Sequence, residues 1–388
     1  MSFRQTTVSG FPAVALRSAE LEVVAVPGLG MKLTNLRRLN GREWLWRSDQ
    51  IPLAPPRSGA SYVETADSGG WDECFPTVAP CPVPGAPPGT PLLPDHGELW
   101  GAPWISSVYD SSEGTTLAGS AKGTVFPYEF HRQITLDPQE PVVRFRYLLR
   151  HTGDRPFPWI WSAHPLLNVQ PGSVLTLPGV SQVKLAAVHG RGDPSLGSGQ
   201  APSLGSGQAP SLGSGQAPSL RSGQAPSLGS GQVLHENDVV SWPGAIGGKS
   251  DRFTFPEHGG WALKACGDLG SDGRMMLTDP RMGERLELVV RREEVPQVGV
   301  WINCRGWAPP GRTPVLQHGA GAVYRSSGPA RSGGDRVAHR ADAAARRGTR
   351  VVARRARLRG FRVSRFSERG AQGGNFPKRS IRGPESLP

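Results

Sequence analysis

The sequence predicts an all-β protein of the sandwich type, with one low-complexity insertion and a basic tail of different character. Its 388 residues include 51 Gly and 38 Pro, a composition typical of turn-rich β-proteins rather than helical bundles. Short apolar runs between turn signals recur along the chain, without a convincing amphipathic helical period. A chain of this length can bury a substantial core.

The strand pattern begins near the N-terminus and continues to about residue 190. The segment 21–26 (LEVVAV) is rich in β-branched residues and ends at a Pro-Gly pair, and Asn40-Gly41 predicts a hairpin turn. Apolar and basic residues alternate in 141–150, which predicts a half-buried strand. Strand-like segments resume after residue 233 and stop after Pro314. We therefore expect a sandwich domain over residues 1–316.

Residues 194–232 interrupt this domain with a tandem repeat. The unit PSLGSGQA occurs four times, once with Arg221 in place of a glycine, and a fifth copy is incomplete. One large apolar residue per unit cannot build a core, so we expect a disordered expansion within a surface loop. The alternative is that the repeat binds a partner.

Residues 317–388 carry most of the positive charge. They hold 17 Lys and Arg against 4 Asp and Glu, whereas the whole chain has a net charge of +12, so the remainder is close to neutral. This composition predicts a disordered Arg-rich tail. A nucleic-acid-binding function through the tail is unfavoured, because the Arg residues are not interleaved with aromatic ones.

Several protein classes are disfavoured by what the sequence lacks. It has no run of 18 apolar residues and no apolar stretch at its start, so we expect a cytoplasmic protein without a membrane partner. The four cysteines form no CxxC pair, which argues against a disulfide framework or a structural zinc site. The oligomeric state is left open.

Two regions combine His, Trp and acidic residues. The first comprises 69–76 (GGWDECFP) and 94–100 (PDHGELW), and the second is 159–168 (WIWSAHPLLN). Sugar sites use Trp faces for stacking and carboxylates, amides and imidazoles for hydroxyl groups. His96, His164 and two acids also permit a metal site, but HExxH and His-x-His spacings are missing. We therefore expect neither a metal nor a cofactor.

The order and spacing of these motifs resemble the galactose mutarotase (aldose 1-epimerase) superfamily. The resemblance rests on 70–76, 95–100 and 162–168, together with 30–47 and 298–303. It implies a galactose mutarotase-like β-supersandwich that holds a sugar in a concave face, here with a disordered repeat loop and a disordered basic tail.

The resemblance also implies an activity in carbohydrate metabolism. Such an isomerase interconverts the α and β anomers of an aldohexose by opening and reclosing its ring with a general acid and a general base. His164 matches the acid histidine, and His96 matches the histidine that holds sugar hydroxyls and assists proton transfer. The implied sugar-binding residues are Trp71, Asp72, Glu73, Glu98, Asn168 and Asp251.

One departure from the family pattern concerns the general base, a Glu that follows the Trp-Ile-Asn strand. From Val315 onward this sequence has no acid before Asp335. Reading possible codons for residue 317 onward one base later permits NMALEPCIGAPD, which contains such a Glu. We therefore interpret 317–388 as out-of-frame translation after a slip near 314–317.

Two consequences of the missing Glu stay open. Another acid could serve as the base, and Glu257, Glu293 and Glu294 are candidates, although none lies in a matching motif. Alternatively, the chain is a non-catalytic carbohydrate-binding or sugar-sensing protein on the same fold.

Overall fold

The computed structural model describes residues 2–56, 61–63, 67–83, 85–190, 234–309, 311–314, 316–325 and 356–365. These residues form twenty strands and one 3₁₀ turn, Gly244–Ile246. The strands, in chain order, are β1 (Ser2–Val8), β2 (Phe11–Arg17), β3 (Leu21–Val26), β4 (Lys32–Arg38), β5 (Trp71–Cys74), β6 (Ile105–Ser111), β7 (Gly114–Lys122), β8 (Tyr128–Leu136), β9 (Val142–His151), β10 (Ile160–Asn168), β11 (Val174–Thr176), β12 (Gln182–Gly190), β13 (Val239–Ser241), β14 (Arg252–Thr254), β15 (Trp261–Asp268), β16 (Arg274–Asp279), β17 (Glu284–Val289), β18 (Gln297–Cys304), β19 (Leu316–Arg325) and β20 (Ala356–Arg365).

The strands form two antiparallel sheets that enclose the core. One has eleven strands in the order β1-β2-β3-β4-β5-β10-β19-β18-β15-β12-β13, and the other has nine in the order β14-β11-β16-β17-β20-β9-β8-β7-β6. The inner faces meet through aromatic side chains, as where Trp71 of β5 stacks on Phe145 of β9 with 4.5 Å between ring centroids. The predicted all-β sandwich is confirmed.

Strands β5 and β10 position the candidate site. They are antiparallel neighbours, with Asp72 opposite His164. Side chains alternate between the faces of a strand, and the core contacts of Trp71 identify its face as the inner one. Asp72 and Cys74 therefore lie on the outer face of the eleven-stranded sheet, together with His164.

The sequence analysis expects no strands after Pro314, but the structure has two there, β19 and β20. β19 lies between β10 and β18, and β20 lies between β17 and β9. Arg and apolar residues alternate locally in β20, a strand pattern that the average composition of the tail conceals. The 316/317 domain boundary thus falls within β19, while the frame slip remains a prediction.

Other expectations fall on residues that the structure does not describe. The repeat at 194–232 lies outside the described residues, as does most of 317–388. Over the described ranges, no helix has the length and apolar character needed to cross a membrane.

Candidate functional site

The structure brings the two predicted histidines together. The ring centroids of His96 and His164 are 5.1 Å apart, and the rings are nearly perpendicular at 73°. His164 comes from β10, whereas His96 lies in the loop after β5, which returns so that Gly97 forms a β-bridge with Phe75. Gly97 makes this return possible, because its φ is +74° and a Cβ there would lie 2.1 Å from the carbonyl oxygen of Phe75. The His-Gly motif thus reflects a close backbone approach.

Asp95 holds His96 through one ring nitrogen. Its Oδ1 lies 2.8 Å from Nδ1 of His96, and its Oδ2 accepts a hydrogen bond of 2.8 Å from the backbone N–H of Tyr62. Burial opposes ionisation of Asp95, but the hydrogen bond and charge of His96 outweigh it, so the pKa of Asp95 lies below its usual value. The ionised carboxylate orients His96 so that Nε2 is available to a ligand.

His164 is half-buried and lacks a comparable carboxylate. Burial, followed by the charges of His96, Lys264 and Lys32, lowers the pKa of His164 well below 6.5. Its Nδ1 is buried without a hydrogen-bond partner among the described residues. His164 is therefore a neutral imidazole at pH 7, with one N–H that can be donated.

Asp72 is the centre of a buried polar cluster beside the histidines. Its Oδ2 lies 2.5 Å from Nζ of Lys32 and accepts a 2.6 Å hydrogen bond from the hydroxyl of Tyr62. Lys32 also donates to the carbonyl of Gly69 at 2.7 Å. The other oxygen of Asp72 is buried without a partner among the described residues. Sequence analysis missed Lys32 and Tyr62, since no local motif marks either residue.

Aromatic side chains further along the outer face supply a surface suited to a sugar ring. Trp301 of β18 is half-buried and meets Trp307 edge to face, with 5.6 Å between centroids. His189 of β12 lies 6.1 Å from each of these rings. Lys264 pairs with Trp301 in register. The stacking role expected of a Trp is thus available from Trp301 and Trp307.

A small cavity of about 30 Å³ lies against this outer face. Its lining includes Trp46, Asp67, Asn303, Trp307 and Gln317. Burial raises the pKa of Asp67, and the charges of Lys32, Asp72 and His96 also act on it. Oε1 of Gln317 is buried without a partner among the described residues. Asp67 is a carboxyl group within the electrostatic influence of His96, and no sequence motif marks it.

Trp71 and Glu73, both predicted to bind sugar, lie on the inner face of β5. Each is fully buried. Glu73 is 3.1 Å from Arg132 and accepts hydrogen bonds from Tyr147 at 2.9 Å and Trp161 at 2.7 Å. Strand alternation explains this placement, because neighbours in WDEC point to opposite faces. The two residues contact the core rather than the histidines.

The remaining predicted residues hold other parts of the fold. Glu98 accepts a hydrogen bond from the hydroxyl of Tyr128 at 2.8 Å. The amide nitrogen of Asn168 donates to two backbone carbonyls, each at 3.1 Å. Asp251 precedes β14, at the edge of the nine-stranded sheet. The structure thus groups Asp72 with His96 and His164. The side chains of Glu98, Asn168 and Asp251 are not part of that group.

The alternative bases lie outside β5 and β10, the strands that position the histidines. Glu257 and Glu293 are exposed, and Glu257 presents its backbone carbonyl to Arg305. Glu294 lies 3.4 Å from Arg291 in the turn that follows β17.

Cys74 adds a third chemically reactive group to the histidine pair. Potential ligand atoms of Cys74, His96 and His164 all lie within 4.8 Å of one another. Burial raises the pKa of the Cys74 thiol well above its usual value, so the thiol is protonated at pH 7.

No protein-family model and no curated protein matches the sequence. Solved structures do match. A protein from Synechocystis is 14% identical, with a TM-score of 0.55 over 94% of this chain and 99% of its own. A galactose mutarotase related enzyme from Lactobacillus acidophilus is 13% identical, with a TM-score of 0.53 over 92% and 97%. A galactose mutarotase-like protein from Lactobacillus casei is 12% identical, with a TM-score of 0.50 over 90% and 99%.

The chain also matches a TPR-domain containing protein from Parabacteroides distasonis at 13% identity and a TM-score of 0.52, but it spans 43% of that protein. At these identities the likeness is one of fold. The galactose mutarotase-like β-supersandwich predicted from the motifs is confirmed.

Proposed function

We propose that this chain, which has the fold of galactose mutarotase-like structures, binds an aldohexose beside His96 and His164 and interconverts its anomers. The observation that carries the proposal is the edge-to-face pair of imidazoles, 5.1 Å apart on the outer face of the eleven-stranded sheet. Imidazoles exchange protons readily near neutral pH, and a carboxylate oriented behind one of them stabilises positive charge during transfer. Asp95 is suited to that role for His96.

The reaction requires two proton transfers. A base removes the proton of the anomeric hydroxyl while an acid protonates the ring oxygen, so the C1–O5 bond breaks and an open-chain aldehyde forms. Rotation about C1–C2 and the reverse transfers reclose the ring on the other face. We assign His164 as the acid, which binds a proton from solvent and passes it to the ring oxygen as it returns to the neutral imidazole, and His96 as the residue that holds hydroxyls and assists transfer.

We propose Asp67 as the base in place of the missing Glu. It lines the cavity beside Trp307 and Gln317, and it lies within the electrostatic influence of His96. Burial raises the pKa of Asp67, which makes its carboxylate a stronger base than an exposed one. Trp301 and Trp307 would stack on the apolar face of the sugar.

A non-catalytic carbohydrate-binding protein is the second candidate. One observation favours it: the central strand β19 contributes Gly319 and Gln317 to the outer face rather than an acid. Binding would then use the same aromatic and polar side chains without proton transfer.

Polarimetry on fresh α-glucose and α-galactose tests the proposal, with sugar affinity measured by calorimetry. We expect the 388-residue chain to bind sugar, and His164→Ala and His96→Ala to lose binding or activity. Asp67→Asn should reduce the rate on the order of 10²- to 10⁴-fold. His131→Ala is the matched control, because His131 is partly exposed on β8 of the other sheet.

A second comparison addresses the tail. A coding sequence shifted by one base after residue 314 should yield a more active protein, with a gain on the order of 10²- to 10⁴-fold if it restores a general base. Inactivity of both chains with retained sugar binding would favour the non-catalytic candidate. Unchanged affinity in both histidine variants would refute the site assignment.

A further inference from the structure

Cys74, His96 and His164 form a cluster of metal-ligating side chains on the outer face of the eleven-stranded sheet. One potential ligand atom from each residue lies within 4.8 Å of the other two. Thiolate sulfur and imidazole nitrogen are the donors that zinc and similar borderline-soft divalent cations prefer. The three side chains come from β5, the following loop and β10, so folding assembles a donor set that no sequence spacing indicates.

The mutual arrangement of the imidazoles fits a shared cation. Their ring centroids are 5.1 Å apart. Two imidazoles bound to one tetrahedral zinc, at Zn–N distances of about 2.0 to 2.1 Å, have centroids about 5 Å apart. Donor atoms in such a site are separated by about 3.3 to 3.6 Å. Side-chain movements of about 1 Å would therefore close the cluster around a cation.

The surroundings of both histidines supply a second argument. Metal-binding histidines usually donate their other ring N–H to a carboxylate or carbonyl, which fixes the tautomer and orientation. Nδ1 of His96 has this partner in Asp95 at 2.8 Å, and Asp95 is in turn held by the backbone N–H of Tyr62. Nδ1 of His164 is buried without a partner among the described residues. Buried polar atoms normally have partners, and a cation would satisfy this one.

We propose that Cys74, His96 and His164 bind one Zn²⁺ or a chemically similar divalent cation, through the thiolate sulfur and one nitrogen of each histidine. Binding releases the thiol proton to solvent. Three protein ligands leave the fourth position of a tetrahedral cation to water or a sugar hydroxyl. The cation occupies both imidazoles assigned to proton transfer, so it competes with anomer interconversion. The site itself does not rest on that function.

Titration of Co²⁺ into the full 388-residue chain tests the site, because Co²⁺ reports sulfur ligation and tetrahedral geometry by its absorption. We expect one equivalent to bind with a sulfur-to-cobalt charge-transfer band, and Zn²⁺ to displace it. Cys74→Ser should abolish the band, and Asp95→Asn should weaken affinity about 10- to 100-fold. Cys81→Ser is the matched control, since Cys81 lies near Thr77 rather than in the cluster. It should leave the spectrum unchanged.

X-ray absorption at the zinc edge tests the unsubstituted chain and is independent of how the variants fold. One sulfur and two imidazole nitrogens around Zn²⁺ are expected. A shell of oxygen and nitrogen alone, or a charge-transfer band that persists in Cys74→Ser, would overturn the proposal.

Polarimetry with and without one equivalent of Zn²⁺ separates the two proposals. A chain that is inactive without zinc, yet binds added Zn²⁺ through sulfur, would refute the epimerase and keep the metal site. An active chain that binds no Zn²⁺ would refute the metal site and keep the epimerase.

Discussion

Tyr62 lies parallel to His96, with 4.1 Å between ring centroids and 18° between the ring planes. Its hydroxyl donates a hydrogen bond of 2.6 Å to Oδ2 of Asp72. One side chain therefore supports the imidazole with its ring and the buried Lys32–Asp72 pair with its hydroxyl.

These two contacts can be separated by substitution. Tyr62→Phe keeps the stack and removes the hydrogen bond to Asp72, a member of the buried ion pair with Lys32, so it should reduce the free energy of unfolding by about 1.5 to 3 kcal/mol. Tyr62→Leu removes both contacts and should also reduce kcat/KM or sugar affinity below that of Tyr62→Phe. Urea denaturation and polarimetry measure the two effects. Equal function in both variants would show that the stack does not position His96.

Trp301 is expected to provide the stacking surface for the sugar. Trp301→Ala should weaken sugar affinity about 2- to 10-fold, corresponding to the 0.5 to 1.5 kcal/mol of a typical aromatic contact. Calorimetry measures the affinity, and circular dichroism checks the fold. Trp261→Ala offers a comparison at a Trp that packs against Phe253. An equal loss in both variants would indicate a general effect on the sheet.

Glu73→Gln should destabilise the protein rather than the sugar complex. Glu73 and Arg132 have no exposed side-chain surface, and removal of one charge from a buried pair typically costs about 3 to 5 kcal/mol. Thermal and urea unfolding measure this loss. Glu113→Gln breaks a half-exposed pair with Arg146 and should cost below about 1 kcal/mol. A Glu73→Gln protein with unchanged stability and lost sugar binding would support the direct role implied by the family resemblance.

The buried His318 should lower the free energy of unfolding of the protein at acidic pH. Burial lowers the pKa of His318 to about 4 in the folded protein, from 6.5, so the unfolded chain binds a proton first as the pH falls. This contribution to the free energy of unfolding is fully present above pH 6.5 and is lost as the pH falls from 6.5 to 4. The loss reaches about 2 to 3 kcal/mol near pH 4.5.

Replacement of His318 should flatten this dependence. Urea denaturation at pH 7 and pH 4.5 should show a smaller difference for His318→Leu than for the parent chain. His131→Leu, at a partly exposed position, should retain the parental difference. An unchanged pH dependence in His318→Leu would assign acid sensitivity to other groups.

More of the fold than of the candidate site can be predicted from the sequence. Turn dipeptides and short apolar runs indicate strands directly, and the His-Gly and His-Pro motifs select the two histidines that meet. Trp71 and Glu73 were selected with Asp72 because they are adjacent in sequence. Alternation along a strand places Trp71 and Glu73 on one face and Asp72 on the other. This rule can be applied only once the segment is known to be a strand.

Other features depend on long-range pairing. Tyr62 and Lys32 reach Asp72 from separate segments, and no local pattern encodes that meeting. The mean composition of residues 317–388 conceals β19 and β20, because Arg and Gly outweigh the local apolar residues. Ten-residue windows within the tail carry enough apolar residues to pair once neighbouring strands provide a template.

The position of β19 sets the order in which the molecule can be completed during synthesis. β19 is the strand that joins β10 to β18 in the eleven-stranded sheet, yet among the described strands only β20 follows it in the chain. Until residue 325 leaves the ribosome, both neighbours have open edges that can pair with other chains. A chain that ends before Leu316 would keep these edges permanently. The edge of β10 is therefore open to other chains from the synthesis of residue 168 until that of residue 325.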